Sequence, residues 1–141
     1  MQTREDCLQI LRQDLGSKSF YPAAEHILNF LFALKKSELR FLPLSRLMRV
    51  VELKFGADFS QSDIFTISQY FCGERVALLS TKFEFIDHED TCYEVSVSDA
   101  ITAIKTGEYY HPEYGYRISN PEQSIHMFFV PSIYLKKHID G

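Results

Sequence analysis

Phe83-Glu84-Phe85-Ile86-Asp87-His88-Glu89-Asp90-Thr91-Cys92-Tyr93-Glu94-Val95-Ser96-Val97 is the stretch in which the chain changes period. Phe83 and Phe85 alternate with Glu84, the Asp87-His88-Glu89-Asp90 run interrupts, and Tyr93, Val95 and Val97 alternate with Glu94 and Ser96. A period of two sends alternate side chains to one face, so the stretch predicts an antiparallel hairpin with an acidic tip. Val76 to Leu79 fits a preceding strand.

Upstream the period is 3.6. Leu8, Leu11 and Leu15 share one side of residues 4–15, with Arg4, Glu5, Arg12 and Asp14 elsewhere, which predicts a short helix closed by Gly16. Pro22 suits a first helical position, and Ala24, Ile27, Leu28, Leu31 and Leu34 follow on one face. Phe30 and Phe32 widen that stripe, so a helix from Pro22 to Lys36 is expected at the centre of the helical half. Leu44, Leu47, Met48, Val51 and Phe55 predict a helix that opens at Pro43 and ends before Gly56. Ser60 and Asp63 stand in capping-box spacing ahead of Ile64, Ile67 and Phe71, and Gly73 is the expected stop.

Downstream of the hairpin, Ser98 is positioned to cap a short helix carrying Ala100, Ile101 and Ile104, which Gly107 ends. Residues 108–119 are turn-rich, with Pro112 and Gly115 marking a reversal between two tyrosine-bearing arms. A further turn at Asn120-Pro121-Glu122 precedes a strand at Ile125 to Val130, apolar on both faces and ended by Pro131. No repeat and no long linker divides the chain. The expectation is one α+β domain over residues 1–141: an N-terminal helical half of three to four helices, then a small antiparallel sheet with one short helix.

At 141 residues the chain buries roughly two-thirds of its unfolded surface. A hydrophobic share of 45% and a charged share of 24%, with 6 Gly and 5 Pro, exclude disordered and collagen-like classes. No apolar run approaches the roughly 20 residues of a membrane span, so no membrane partner is expected. Met1-Gln2-Thr3-Arg4-Glu5-Asp6 is acidic where a signal peptide is basic, and a cytoplasmic location is expected. Cys7, Cys72 and Cys92 are odd in number and form no C-x-x-C pair, which argues against a disulfide framework or a structural zinc site. Cys72 and Cys92 lie among apolar neighbours and are expected to be buried.

Charge is polarised. Residues 1–55 hold nine Lys/Arg against six Asp/Glu, and residues 56–141 hold six against thirteen. The acidic second part also carries Tyr109, Tyr110, Tyr114 and Tyr116 around the Pro112 to Gly115 turn. Tyrosine on turns supplies large contact area at low entropy cost, the property that enriches it in protein interfaces. The expected function is therefore a non-catalytic interaction module, an adaptor, inhibitor or accessory subunit. Its expected contact residues for a protein partner are Tyr109, Tyr110, Tyr114, Tyr116, Asp87, Glu89 and Asp90.

The order helix, helix, helix, hairpin is also that of a winged helix-turn-helix, and a DNA-binding regulator is the alternative. Residues 60–72 would then enter the major groove with Gln61, Ser62, Thr66 and Gln69, while Arg46, Arg49 and Lys54 hold phosphates. Against it, residues 60–72 carry Asp63 and no Lys or Arg, and the wing tip carries Asp87, Glu89 and Asp90. Such regulators dimerise, and residues 4–15 or the tail from Ser132 with Tyr134, Leu135 and Ile139 would supply a homodimer contact.

Catalytic and cofactor signals are weak. There is no Gly-x-Ser-x-Gly elbow and no phosphate-binding glycine loop. Glu52-Leu53-Lys54 has the form of a nuclease metal motif but lies in a helix, where the two charges diverge. The acidic tip lacks the glycine and spacing of a calcium loop, and His111 with His126 lacks a third metal ligand. No enzyme, metal or cofactor is expected.

Overall fold

A computed structural model describes residues 3–35, 38 and 41–140, the last three by backbone alone. Lys36, where the sequence places the end of the second helix, lies outside the described residues, as do Gly141 and the side chain of Ile139. Four helices come first: α1 (Arg4–Leu15), α2 (Tyr21–Phe32), α3 (Leu44–Phe55) and α4 (Gln61–Phe71). Strands β1 (Leu79–Ile86) and β2 (Cys92–Val95), helix α5 (Val97–Thr106), strand β3 (Ile125–Pro131) and helix α6 (Ile133–Asp140) follow. Among the described residues this is an α+β chain of six α-helices and a three-stranded antiparallel sheet in the order β2-β1-β3. Its contacts group into two units, Met1–Ser80 with Phe129–Gly141, and Thr81–Phe128.

The first unit is built on α2. Ala23, Ala24, Ile27, Leu28 and Leu31 are all buried, and α2 packs against α1, α3, α4 and α6. Two small residues side by side allow a neighbouring helix close approach, and each fully buried Leu or Ile contributes about 1.5–3 kcal/mol of burial. The starts of α1 and α4 are fixed by side chains. Ser60 Oγ accepts from Asp63 N–H at 3.1 Å while Asp63 Oδ2 accepts from Ser60 N–H at 3.1 Å, the reciprocal box the sequence predicts. Thr3 and Asp6 form a second such box at α1. Asp14 of α1 accepts two hydrogen bonds from Arg75 at 3.0 Å and one from the Tyr70 hydroxyl at 2.6 Å, which holds its carboxyl below the usual range.

Several boundaries differ from the sequence reading. Val76 and Leu78 are buried in a loop, where Leu78 N–H donates to Phe71 carbonyl at 3.0 Å, and the strand begins only at Leu79 and runs unbroken to Ile86. The helix after the hairpin is capped by Ser96 rather than Ser98. Ser96 Oγ accepts from Asp99 N–H at 3.1 Å, so β2 stops at Val95 and Val97 becomes helical. Gly16 is right-handed (φ −57°), so α1 closes without the left-handed stop. Residues 132–140 are not a loose tail. Ser132 Oγ accepts from Leu135 N–H at 3.2 Å and donates to Ala77 carbonyl at 2.7 Å, which starts α6 and seats a fully buried Leu135. Leu135 is thus committed to this chain's own core and cannot serve a homodimer contact.

The second unit is organised by the predicted hairpin. Its register pairs Phe83 with Val95, Glu84 with Glu94, Phe85 with Tyr93 and Ile86 with Cys92. The alternation therefore places Phe83, Phe85, Tyr93 and Val95 on one face. Phe85, Val95, Ala100, Ala103, Ile118 and Ile125 form the buried cluster, with Phe83, Tyr93 and Tyr109 packed around it. Lys82 Nζ lies 3.4 Å from Glu94 Oε1, relieving the like-charge pair that the register creates.

Candidate functional site: a tyrosine loop latched by a buried His–Asp pair

The acidic run between β1 and β2 is a tight turn. Asp87 N–H donates to Thr91 carbonyl at 3.0 Å, Asp90 N–H donates to Asp87 carbonyl at 3.0 Å, and Asp90 takes the left-handed conformation (φ 63°) that closes the reversal. Asp87 is turned inward. Its Oδ1 accepts from the backbone N–H of Glu89 and of Thr91, each at 2.9 Å, the Asx-type closure that short acidic side chains favour. Its Oδ2 faces Nε2 of His111 at 2.9 Å.

His111 opens the second turn. Its N–H donates to Tyr116 carbonyl at 2.8 Å, Gly115 N–H donates to His111 carbonyl at 2.9 Å, and Gly115 adopts φ 76°. Tyr110 and Arg117 pair as an antiparallel bridge, and Ile118 N–H donates to Tyr109 carbonyl at 2.8 Å. Within the turn, His111 Nδ1 accepts from Glu113 N–H at 3.1 Å and from Tyr114 N–H at 3.0 Å. An imidazole nitrogen that accepts two hydrogen bonds carries no proton, so this network assigns the proton to Nε2, which donates it to Asp87. Both side chains are almost wholly buried, at 0% and 2% exposure. The hydrogen bond from His111, joined by those from Thr91 and Glu89, holds the Asp87 carboxyl below its ordinary range against the opposing effect of burial.

Four rings surround the imidazole. Phe85 and Tyr93 meet it edge-on at 5.6 and 4.9 Å, while Tyr114 and Tyr116 lie tilted at 33° and 32° with centroids 4.8 and 5.0 Å away. Tyr114 and Tyr116 nevertheless remain 62% and 41% exposed, and Tyr110 is 56% exposed. The Tyr93 hydroxyl donates to Glu113 Oε2 at 2.7 Å, a bond that raises its pKa. The Tyr116 hydroxyl lies 3.3 Å from Nδ1 of His88.

The expected contact residues thus divide. Tyr110, Tyr114, Tyr116, Glu89 and Asp90 are at the surface. Asp87 is not, because its carboxylate is consumed by the turn and by His111. Tyr109 is half-buried against Phe85, with ring centroids 5.2 Å apart, and belongs to the core of its unit. The sequence reading missed His111 as an organiser and Tyr93 and Glu113 as its neighbours. The signal is present in His111-Pro112-Glu113, a histidine inside an aromatic-rich turn, but as a turn histidine or half of a metal pair it shows no partner in Asp87.

Both His111 nitrogens are occupied by the turn and by Asp87, so the pair offers no nitrogen to an incoming molecule. His126 is exposed on β3, and among the described residues no three His, Cys, Asp or Glu side chains are grouped as a metal would need. Of the cysteines, Cys7 is the buried one and burial raises its pKa, whereas Cys72 is half-buried and Cys92 is exposed. Cys92 reaches solvent because it occupies the outward register of β2. The candidate DNA-facing residues lie in the first unit. Gln61, Ser62, Thr66 and Gln69 are exposed on α4, with Thr66 Oγ1 donating to Ser62 carbonyl at 2.9 Å. On α3, Arg49 is exposed, Arg46 bonds Glu38 at 3.3 Å and sits over the Phe30 ring, and Lys54 lies over the Phe55 ring. Among the described residues no helix is long and apolar enough to cross a membrane. Compared with protein-family models, curated proteins and solved structures, the chain matches none.

Proposed function

We propose that this chain is a non-catalytic protein-interaction module, an adaptor, inhibitor or accessory subunit, that docks on a protein partner through the tyrosine loop of its acidic unit. The observation that carries this reading is that Tyr110, Tyr114 and Tyr116 are exposed by 56%, 62% and 41% on a turn pinned from beneath by the buried His111–Asp87 pair. Flexible loops pay a cost to order on binding, and a latched turn has met it in folding. Large rings with one polar tip are the side chains that dominate interface energetics. The occupied nitrogens of His111 support a structural role for the pair over a catalytic one.

The test replaces Tyr110, Tyr114 and Tyr116 together by Ser. The triple variant is expected to keep a cooperative thermal transition while losing the partner that the wild-type chain captures by cross-linking from lysate. Undiminished capture by a folded triple variant would show that the loop is not the docking site.

A further inference from the structure

We propose that the turn carrying Tyr114 and Tyr116 receives an arginine side chain from a basic segment of the partner. The inference rests on the reading above and specifies its chemistry. Residues 81–128 hold nine Asp/Glu and three Lys/Arg, so the unit that carries the rings is strongly acidic. Of its three cations, Lys82 is paired with Glu94, Arg117 stands across from Tyr110, and Lys105 lies in the last turn of α5. The partner must therefore bring positive charge.

A carboxylate neighbours each of the two rings, Glu113 in sequence and Glu89 through His88. Glu113 precedes Tyr114 and uses Oε2 for the Tyr93 hydroxyl, which leaves Oε1 for a second donor. Glu89 Oε1 lies 3.8 Å from Nε2 of His88, whose Nδ1 faces the Tyr116 hydroxyl. The charges of Asp87 and Glu89 reach Tyr116, whose phenol is raised first by partial burial and then by them. An aromatic face flanked by carboxylates favours arginine over lysine, because the planar guanidinium stacks and donates in a fixed fork while an ammonium is a strongly hydrated point charge. Tyr114 and Tyr116 are each packed against His111 and keep the remainder of their surface exposed.

The test titrates the full-length protein with a fluorescein-labelled peptide of alternating Arg and Gly, and with its Lys counterpart, and reads anisotropy and backbone amide shifts. The arginine peptide is expected to bind about three- to fivefold tighter than the lysine peptide and to shift amides at Glu113 to Tyr116. Tyr116→Leu and Glu113→Gln should each weaken it about threefold. Equal affinity for both peptides, or shifts scattered over the acidic surface, would overturn the arginine assignment, and so would wild-type binding by both variants. The amide shifts are read on the unmutated protein, so a misfolded variant cannot decide the outcome. If the triple Tyr→Ser variant loses its captured partner while the arginine peptide leaves Glu113 to Tyr116 unshifted, the docking loop stands and only the arginine chemistry falls.

Discussion

His111 accepts with one nitrogen and donates with the other, and it does so from a site without solvent. Removing the ring takes its partner from the buried Asp87 carboxylate, and a buried polar group left without a partner costs about 1–3 kcal/mol, more when charged. His111→Ala is expected to lower the unfolding free energy by about 3 kcal/mol, measured by urea denaturation at pH 7. Asp87→Asn has one oxygen where the carboxylate uses two, so its NH2 must face either Nε2–H or the Glu89 and Thr91 amides, and it also removes a carboxyl whose pKa the fold depresses. A carboxyl lower in the folded than in the unfolded chain adds stability that is complete above its unfolded value of about 3.9 and is lost as pH falls through its folded value. Wild-type stability should therefore decline more steeply than that of Asp87→Asn in urea titrations taken from pH 5 down to pH 2. Parallel acid limbs would show that the Asp87 charge does not contribute.

The turns and caps are set by single residues whose legibility in the sequence differs. Ser60 with Asp63 is local, three residues apart, and is readable because both partners of the box are adjacent in the chain. Ser132 is as local, yet α6 is not legible, because Leu135 is its one buried residue among the described side chains and the stripe is too short to show a period. The inward turn of Asp87 could not be read, since its partner His111 is 24 residues away and the neighbouring His88, Glu89 and Asp90 look equivalent in composition. Tyr114 and Tyr116 were legible as surface residues because Pro112 and Gly115 announce the turn. Tyr109 was not, since the ladder with Ile118 sends it to the core. Gly115 is the residue on which the tyrosine loop depends. Its φ of 76° disfavours a side chain while no atom lies within 4 Å of where a Cβ would stand. Gly115→Ala should thus cost only the backbone strain, about 1–2 kcal/mol in urea denaturation. A loss well above that would mean that steric contact, not conformation, selects glycine.

Each of the two units has a hydrophobic core of its own, and the chain passes between them along β1 and β3. The helical unit buries Leu11, Ile27, Leu28, Leu31, Leu47, Ile64, Ile67 and Phe71, all close to zero exposure. The sheet unit buries a smaller cluster around Phe85 and adds the His111–Asp87 latch. Stability is distributed unevenly where small cores depend on polar contacts, and such regions open below the global unfolding energy. Hydrogen exchange followed by mass spectrometry on wild type and His111→Ala reads this directly. At about 1.4 kcal/mol per decade, a 3 kcal/mol loss confined to the sheet unit lowers protection in peptides from 81–128 by about a hundredfold. Peptides covering α2, whose Ala24, Ile27 and Leu28 sit in the other core, should keep their protection. An equal loss in α2 would show that the latch stabilises the chain as one cooperative body, and the tyrosine loop would then lose rigidity only when the whole molecule unfolds.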